Sequence, residues 1–521
     1  MTDSTDPRRL ALSRRDALAL LGGAGIALSS SSLASAQERP RRGGVLKISA
    51  AANPSSLDPA TGGAGSDHTF LYTMYDTLTE WDYATLAPKP GLAESWSYSD
   101  PQTLVLNIRG GVTFHDGTKL DAEAVKFNLD RNKTDKRSNI KADLVAVSSV
   151  DVTGPQQVTL KLANPDSALP GILSDRAGMM VSPTAVKAKD NLDRTPVGCG
   201  AYTFVSWNDN DRIVVKRNDK YWREGKPYLD GIEFAIIPEL TTGLRSVIAG
   251  QNDFIYSLPP RQKAILDRAK NLQIVTGPTV YCVQLYLNWA RPPFDNIKVR
   301  QALNFAIDRE TFVRAAFAGI GEPARMNLPS SHWAYDKAIA GLYPYDPEKA
   351  KKLLAEAGHA NGLSIEFGGY TDQDSVQRQE ILIEQLRKAG FNIRFGNGSI
   401  AEASAGFFGA EKKYAALLSA WTGRPDPSLT YSLMYSKDAY YNAGRGEVPA
   451  ELTAAIKDSR SSEDQDTRRK AFATVQRLVM ENAFVAPLAF QFELDAMSAK
   501  VKGFRPNLLG KPKYEDVWLQ G

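Results

Sequence analysis

Short strands alternate with amphipathic helices along almost the whole chain, and this alternation constrains the fold more than any other feature. Residues 45–48, 158–162 and 232–237 have the pattern of short strands. Asp346-Pro347-Glu348 combines a helix N-cap, a proline at the first helical position and an acid in the first turn. Helices that follow strands at this density predict α/β lobes rather than an all-helical or all-β protein.

The N-terminal segment has the composition of a secretory signal peptide. The pair Arg14-Arg15 precedes an uncharged stretch over residues 17–28, and Ala34-Ser35-Ala36 supplies the small residues that a signal peptidase needs. We therefore predict a signal peptide over residues 1–36, cleaved after Ala36. The 485 residues left from the 521 exceed what one hydrophobic core organises, so two or more lobes are expected.

The export route and the final location follow from the same segment. Ser13-Arg14-Arg15-Asp16 matches a twin-arginine signal, although paired arginines also occur in ordinary secretory signals, so both routes stay open. No cysteine lies near Ala36, and beyond the signal no uncharged run is long enough to cross a bilayer. These features predict a periplasmic protein that is exported and not lipid-anchored.

The charge balance and the two cysteines bear on possible partners and on disulfide formation. Lys and Arg number 63 against 59 Asp and Glu, and the positive charges are dispersed, so no nucleic-acid partner is predicted. Cys199 and Cys282 are the two cysteines. In an oxidising compartment they could form a disulfide, and the alternative is two isolated buried thiols.

Motifs of catalysis and metal binding are missing from the sequence. His68, His115, His332 and His359 do not fall within one helical turn of each other, and no Cys/His cluster has metal-ligand spacing. Neither a Gly-x-Ser-x-Gly elbow nor a phosphate-binding loop occurs. We therefore predict a binding protein rather than an enzyme, with no catalytic residues, metal or cofactor.

An ordered set of short motifs resembles one family. The segments 90–96 (PGLAESW), 112–117 (VTFHDG), 196–202 (PVGCGAY), 345–350 (YDPEKA) and 501–504 (VKGF) are similar to those of the extracellular solute-binding proteins of dipeptide and oligopeptide (peptide/nickel/opine) ABC importers. They occur in the order typical of that family and span nearly the whole mature chain. The resemblance implies a two-lobed periplasmic binding protein of the α/β class, with an extra domain and a hinge-closing cleft.

The resemblance also implies domain limits. The first lobe would comprise residues 37–75, 198–282 and 488–521, the extra domain residues 76–197, and the second lobe residues 283–487. Both cysteines would then lie close to the points where the chain passes between lobes. A disulfide there would restrain closure of the cleft.

The expected ligand site departs from the family pattern at one position. Peptide-binding relatives carry Trp-x-x-Asp, whose carboxylate binds the ammonium group of the peptide; here the segment is Trp421-Thr422-Gly423-Arg424. A guanidinium suits a carboxylate or a phosphate, so we expect an acidic group on the ligand. Three alternatives stay open: Arg424 points into solvent, Arg424 pairs with Asp426, or Asp426 replaces the missing acid after a shift in register.

Five further ligand contacts are implied by the resemblance. Tyr281 precedes the strand that enters the second lobe, Tyr441 and Asn442 follow the Trp421 loop, and Ser66 and His68 lie in a first-lobe loop expected to face the cleft. A purely structural or exposed role is the alternative for each of them.

The predicted function is capture of a small ligand, peptide-like or carboxylate-bearing, between two lobes, and its delivery to an inner-membrane ABC permease by a monomeric binding protein. Ligand contacts from both lobes would favour the closed form. The alternatives are a chelate, opine or sugar-acid binder of the same fold, or a sensor or chaperone without a transport role.

Overall fold

The structure is a computed structural model that describes residues 39–189 and 192–521, so the predicted signal peptide lies outside the described residues. It is a mixed α/β protein. In chain order the strands are β1 (Val45–Ala50), β2 (Thr79–Trp81), β3 (Pro88–Pro90), β4 (Ala93–Asp100), β5 (Thr103–Ile108), β6 (Val147–Gly154), β7 (Gln157–Leu162), β8 (Tyr202–Asn208), β9 (Arg212–Arg217), β10 (Gly231–Ile236), β11 (Phe254–Ile255), β12 (Leu272–Gly277), β13 (Cys282–Leu287), β14 (Gly321–Pro323), β15 (Leu363–Tyr370), β16 (Phe391–Gly398), β17 (Ala416–Trp421), β18 (Val485–Gln491), β19 (Glu493–Ser498), β20 (Val501–Lys502) and β21 (Trp518–Leu519).

The helices lie between these strands, and several begin at side-chain caps. They are α1 (His68–Met74), α2 (Ala122–Thr134), α3 (Leu169–Ile172), α4 (Pro183–Lys189), α5 (Leu240–Ile248), α6 (Lys263–Leu266), α7 (Ile297–Phe305), α8 (Arg309–Ala316), α9 (Pro347–Glu356), α10 (Gln373–Lys388), α11 (Ile400–Phe408), α12 (Pro427–Tyr435), α13 (Ala450–Asp458) and α14 (Gln465–Glu481). None of the helices in the described part of the chain has the length and apolar character that a bilayer span requires.

Two large sheets organise the protein. The first has the strand order β12-β19-β11-β1-β10-β9-β8, in which β1 runs parallel to both of its neighbours. The second has the order β14-β18-β13-β17-β15-β16, in which β15 runs parallel to β16 and β17. Each sheet has its own hydrophobic core, because helices cover the apolar strand faces.

A smaller antiparallel sheet, with the order β4-β5-β7-β6, forms a separate unit against α2. Its apolar residues and those of α2 build a third core, which includes Leu104, Leu106, Val125 and Leu160. This sheet lies within the segment that the motifs assign to the extra domain.

The chain passes between the two large sheets twice. It leaves the first sheet after β12 and enters the second at β13 through residues 278–281, and it returns at Phe492, between β18 and β19. The two passages are tied together, since Gln491 N donates to Tyr281 O at 3.1 Å and Thr279 Oγ1 donates to Gln491 O at 2.6 Å. Sheet membership puts the return at Phe492, whereas the sequence interpretation drew the end of the second lobe at residue 487.

Local sequence patterns account for the helix starts. Asp346 accepts a hydrogen bond from Lys349 N at 2.8 Å with Pro347 at the first helical position, so the predicted start of α9 is confirmed. The predicted strands over residues 45–48, 158–162 and 232–237 are also confirmed, as β1, β7 and β10.

The disulfide hypothesis is wrong for this structure. Cys199 and Cys282 are both free and buried, and they pack in different hydrophobic cores, Cys199 with the small sheet and Cys282 with the second large sheet. The alternative of two isolated buried thiols therefore describes them.

Candidate functional site

The Trp421 loop, residues 421–426, connects β17 to α12 and lies beside the passage between the two large sheets. Trp421 is buried at the end of β17, and its Nε1 donates to Thr430 Oγ1 at 3.0 Å. The ring of Tyr441 packs edge-on against it, with the two centroids 5.0 Å apart. Trp421 is thus a buried ring that Thr430 and Tyr441 hold in place.

Gly423 brings this loop against the passage. Its φ of +78° is a left-handed conformation that favours glycine, and a Cβ built on it would lie 2.0 Å from Val280 Cγ2. The loop and residues 278–281 are therefore in direct contact, with no room for a side chain between them.

Arg424 is half-buried and lies over Trp421. Its Cζ is 4.8 Å from the centroid of the indole, and Nη1 donates to Gly423 O at 2.7 Å. Among the described residues, no aspartate or glutamate forms an ion pair with Arg424, and none accepts a hydrogen bond from its Nε or Nη2. Packing on Trp421 rules out the alternative of a side chain directed freely into solvent, and it leaves donors for an external acceptor.

Asp426 has a structural role. Its two carboxylate oxygens accept from Arg468 Nη2 at 2.9 and 2.8 Å, and Oδ1 accepts from Ser428 N at the start of α12. Burial would raise the pKa of Asp426, but the Arg468 charge and the Ser428 hydrogen bonds hold it below its ordinary value. Both alternatives that involved Asp426 are therefore wrong: it neither pairs with Arg424 nor offers a free carboxylate to a ligand.

The first-lobe candidates lie in a charged cluster. His68, at the start of α1, is buried, and its Nε2 is 2.5 Å from Asp175 Oδ1, whereas Ser66 is exposed in the preceding turn. Lys511 Nζ reaches Asp175 Oδ2 at 2.7 Å and His68 Nε2 at 3.1 Å. His68 is therefore engaged by Asp175 and Lys511, with its other nitrogen 2.9 Å from Gly65 O.

Burial and neighbouring charges set the protonation of this cluster. Burial lowers the pKa of His68, and Asp175 opposes that shift only in part. Burial would raise the pKa of Asp175, but the charges of His68 and Lys511 hold it well below its usual value. Burial also lowers the pKa of Lys511, while Asp175 raises it.

The Trp421 loop and this cluster share one electrostatic environment. The charge of Arg424 acts on Lys511, and also on Asp143, which follows α2 in the small-sheet unit. Burial raises the pKa of Asp143 to about 6, with Asp175 adding to the shift and Arg424 opposing it. The charge of Arg424 therefore acts on residues of the first large-sheet lobe and of the small-sheet unit.

The three remaining candidates differ in what they can offer a ligand. Tyr281 is half-buried and lines a pocket of about 270 Å³ at the passage between the sheets. Tyr441 is half-buried among aromatic rings, stacked with Tyr286 at 6.2 Å. Asn442 is buried and binds its own loop, since its side chain donates to Gly446 O and accepts from Gly446 N. The structural alternative thus applies to Asn442.

Motif comparison missed several charged residues. Lys511, Asp175 and Asp143 lie in segments without a family motif, and they come together only in the folded chain. An ion pair that joins residues 336 positions apart leaves no pattern in the sequence. Among residues 39–189 and 192–521, no group of three or more His, Cys, Asp or Glu side chains could hold a metal ion.

Comparisons with solved structures agree with this architecture. The ABC transporter substrate-binding protein CtaP of Listeria monocytogenes superposes with a TM-score of 0.82 at 22% identity, over 92% of this chain and 100% of that one. The periplasmic binding protein DppA of Helicobacter pylori, in complex with the peptide STSA, gives a TM-score of 0.79 at 23% identity, over 92% and 99% of the two chains. These likenesses show the fold, a two-lobed periplasmic binding protein, which confirms the predicted fold class.

Sequence comparison identifies the family. The glutathione-binding protein GsiB of Salmonella paratyphi A is 30% identical over 475 residues, which cover 88% of this chain and 91% of that protein. The family model "Bacterial extracellular solute-binding proteins, family 5 Middle" matches residues 87–442. The chain therefore belongs to the family 5 bacterial extracellular solute-binding proteins, the substrate-binding subunits of ABC importers, as its motifs predicted.

Proposed function

We propose that this protein captures a small peptide-like ligand that carries a carboxylate, binds that carboxylate with Arg424, and delivers the ligand to an inner-membrane ABC permease. It acts in the periplasm as an exported monomer without a lipid anchor. A tripeptide such as glutathione, which names the relative GsiB, has the required chemistry.

The environment of Arg424 is the observation that supports a carboxylate-bearing ligand. Arg424 is half-buried and oriented by Trp421, and it has no carboxylate partner among the described residues. A guanidinium held in this way binds a carboxylate with paired, charge-assisted hydrogen bonds. The same charge would repel the peptide ammonium group that an aspartate binds at this position in peptide-binding relatives.

The position of Arg424 supports capture between lobes. Its loop contacts the passage at Val280, and its charge acts on Asp143 and Lys511 from the other units. A ligand bound there would touch elements on both sides of the cleft, so that binding favours the closed form.

Native mass spectrometry of protein purified from its own periplasm tests this proposal, with denaturation to weigh the released compound. We expect a small acidic compound that is lost from Arg424→Ala. Isothermal titration with glutathione should show a loss of affinity of about 10- to 100-fold for Arg424→Ala. Arg445→Ala, which removes an exposed arginine of the same lobe, is the matched control.

Two results would contradict the proposal. A bound ligand without an acidic group would remove the carboxylate role of Arg424. The carboxylate role of Arg424 would also be removed if Arg424→Ala and wild type bound every acidic ligand with equal affinity. The released ligand could instead be an opine, a sugar acid or a metal chelate, which would replace the peptide-like class. Arg424 would keep its proposed role if the Arg424→Ala protein no longer bound that ligand.

A further inference from the structure

Glu493 and Asp495 form a carboxyl pair at the return passage between the two large sheets. They lie two positions apart on β19, so both side chains are on the same face of the strand. Ser257 bridges them, since its Oγ donates to Glu493 Oε1 at 2.7 Å and its N donates to Asp495 Oδ1 at 3.0 Å.

Asp495 differs from the other buried aspartates of the described residues. Each of the others has a lysine or arginine within ion-pair distance; the pairs are Asp58–Arg131, Asp67–Arg176, Asp166–Arg460, Asp253–Lys500 and Asp426–Arg468. Asp495 is fully buried, has no such partner, and its Oδ2 has no hydrogen bond. A buried carboxylate in this state is costly unless a cation reaches it or it keeps a proton.

Glu493 opens onto the pocket of about 270 Å³ at the passage, whose other polar lining comes from Ser257, Thr279, Tyr281 and Gln491. A Cβ on Gly510 would lie 2.6 Å from Glu493 Oε2, so glycine at that position leaves the space that this oxygen occupies. Neither carboxyl forms an ion pair with a described lysine or arginine. The pocket therefore presents an uncompensated acid beside an unpartnered buried one.

The pocket and the Trp421 loop both contact the same short segment. Thr279 and Tyr281 line the pocket, and Val280 between them packs against Gly423, the neighbour of Arg424. A ligand with one acidic and one basic group would find a cation, Arg424, and an acid, Glu493, next to elements that contact this segment.

We propose that the Glu493–Asp495 pair is the binding site for the ammonium group of the ligand, so that the protein selects a zwitterion with its carboxylate at Arg424. This inference rests on the proposed function. An ammonium group in the pocket would bind Glu493 directly and supply the cation that Asp495 lacks, and a proton held by the empty pair would leave for solvent. Consistent with that proton, burial raises the pKa of Asp495 well above its ordinary value, and the neighbouring charge of Glu493 adds to the shift.

Isothermal titration with matched ligands tests the proposal. The probes are glutathione with N-acetylglutathione, and alanylalanine with N-acetylalanylalanine, because acetylation removes the ammonium charge and keeps the carboxylates. We expect wild type to bind the free-amine form of at least one pair about 10- to 100-fold more tightly. Glu493→Gln should reduce that preference to about twofold or less. Glu233→Gln, which removes a carboxylate from another strand of the same sheet, should leave it unchanged.

Each other outcome is decisive. Suppose that wild type binds the free-amine and the acetylated ligands equally well, while Arg424→Ala binds neither. That result would overturn the ammonium site and leave the proposed function standing. An unchanged preference in Glu493→Gln and in Asp495→Asn would also overturn it. Binding of no probe, together with a released ligand that has no amino group, would overturn the inference and the peptide-like ligand class. Asp495→Asn serves as the second variant if Glu493→Gln does not fold.

Discussion

Arg424 and Asp426 are two positions apart in the Trp421 loop, yet their side chains have different environments. Asp426 is neutralised by Arg468 and caps α12, whereas Arg424 has no acidic partner among the described residues. Opposite charges close in sequence did not pair here, because the backbone turns between them and Arg468 approaches Asp426 from α14. The uncompensated charge of the loop is therefore positive.

The carboxyl of Asp143 should make the affinity for an acidic ligand depend on pH. Its pKa is raised to about 6, chiefly by burial, so it is mostly charged at pH 7 and opposes an anion beside Arg424. An anionic ligand would raise the pKa of Asp143 further, so that Asp143 takes up a proton when the ligand binds. Affinity should therefore rise about two- to tenfold as pH falls from about 7.5 to 5.5. Isothermal titration across that range measures the change.

Asp143→Asn is the variant that checks this assignment. It removes the titrating charge, so its affinity should be nearly constant over the same range and close to the low-pH affinity of wild type. A variant that keeps the full pH dependence would show that another group is responsible.

Asp426→Asn should lower stability rather than ligand specificity. The change leaves the buried guanidinium of Arg468 without its counter-charge, which costs about 3–5 kcal/mol of unfolding free energy. Urea denaturation followed by circular dichroism measures the loss, and Asp438→Asn, an exposed aspartate of the same lobe, is the control. If Asp426→Asn were as stable as wild type but failed to bind ligand, Asp426 would be a ligand residue after all.

At the scale of an element, the Trp421 loop depends on one backbone conformation. Gly423 has a φ of +78° and faces Val280 with no space for a Cβ, so the loop and the passage between lobes are packed as one unit. This contact is the physical link between the ligand candidate Arg424 and the segment about which closure would occur.

Gly423→Ala should therefore displace the loop and weaken ligand binding. The left-handed conformation alone costs an L-residue about 1–2 kcal/mol, and the contact with Val280 adds to that cost. We expect a lower melting temperature and a loss of affinity for acidic ligands, measured by thermal shift and titration. Gly341→Ala is the matched control, since nothing lies within 4 Å of a Cβ at that position. If Gly423→Ala bound acidic ligands with wild-type affinity, the Trp421 loop would tolerate the displacement without loss of the binding site.

At the scale of the whole molecule, contacts join the small-sheet unit to the second large-sheet lobe. Asp166, which follows β7, is buried and pairs with Arg460, which follows α13, and Ser167 N donates to Arg460 O at 2.8 Å. These bonds join the two units, and they would be lost if the units moved apart. They stabilise the arrangement described here relative to a more open one.

Arg460→Ala should shift the protein toward an open form. It removes a charge-assisted pair, worth about 1.5–3 kcal/mol, that exists only while the two units touch. We expect a larger radius of gyration without ligand, measured by small-angle X-ray scattering, and weaker binding of glutathione. Arg387→Ala, which breaks an exposed pair within α10, should change neither quantity. An unchanged radius and affinity in Arg460→Ala would show that the pair does not control closure.

The sequence by itself determined the α/β class, the positions of many elements and the family. Helix caps such as Asp346 and the alternation in β1, β7 and β10 act within a few residues, so a local pattern predicts them. The importer-family motifs were readable for the same reason, since each is a short contiguous segment. One such motif also predicts a ligand role for Trp421 and Arg424.

Only the tertiary structure decided which charges meet. Asp426 pairs with Arg468, 42 residues away, and Lys511 with Asp175, 336 residues away, while Cys199 and Cys282 pack in separate cores. The acids at Asp143, Glu493 and Asp495 acquire their raised pKa values from burial between segments distant in sequence. Ion pairing and desolvation act through space over a few ångströms, so their partners are set by how the lobes and passages pack, which no local pattern encodes.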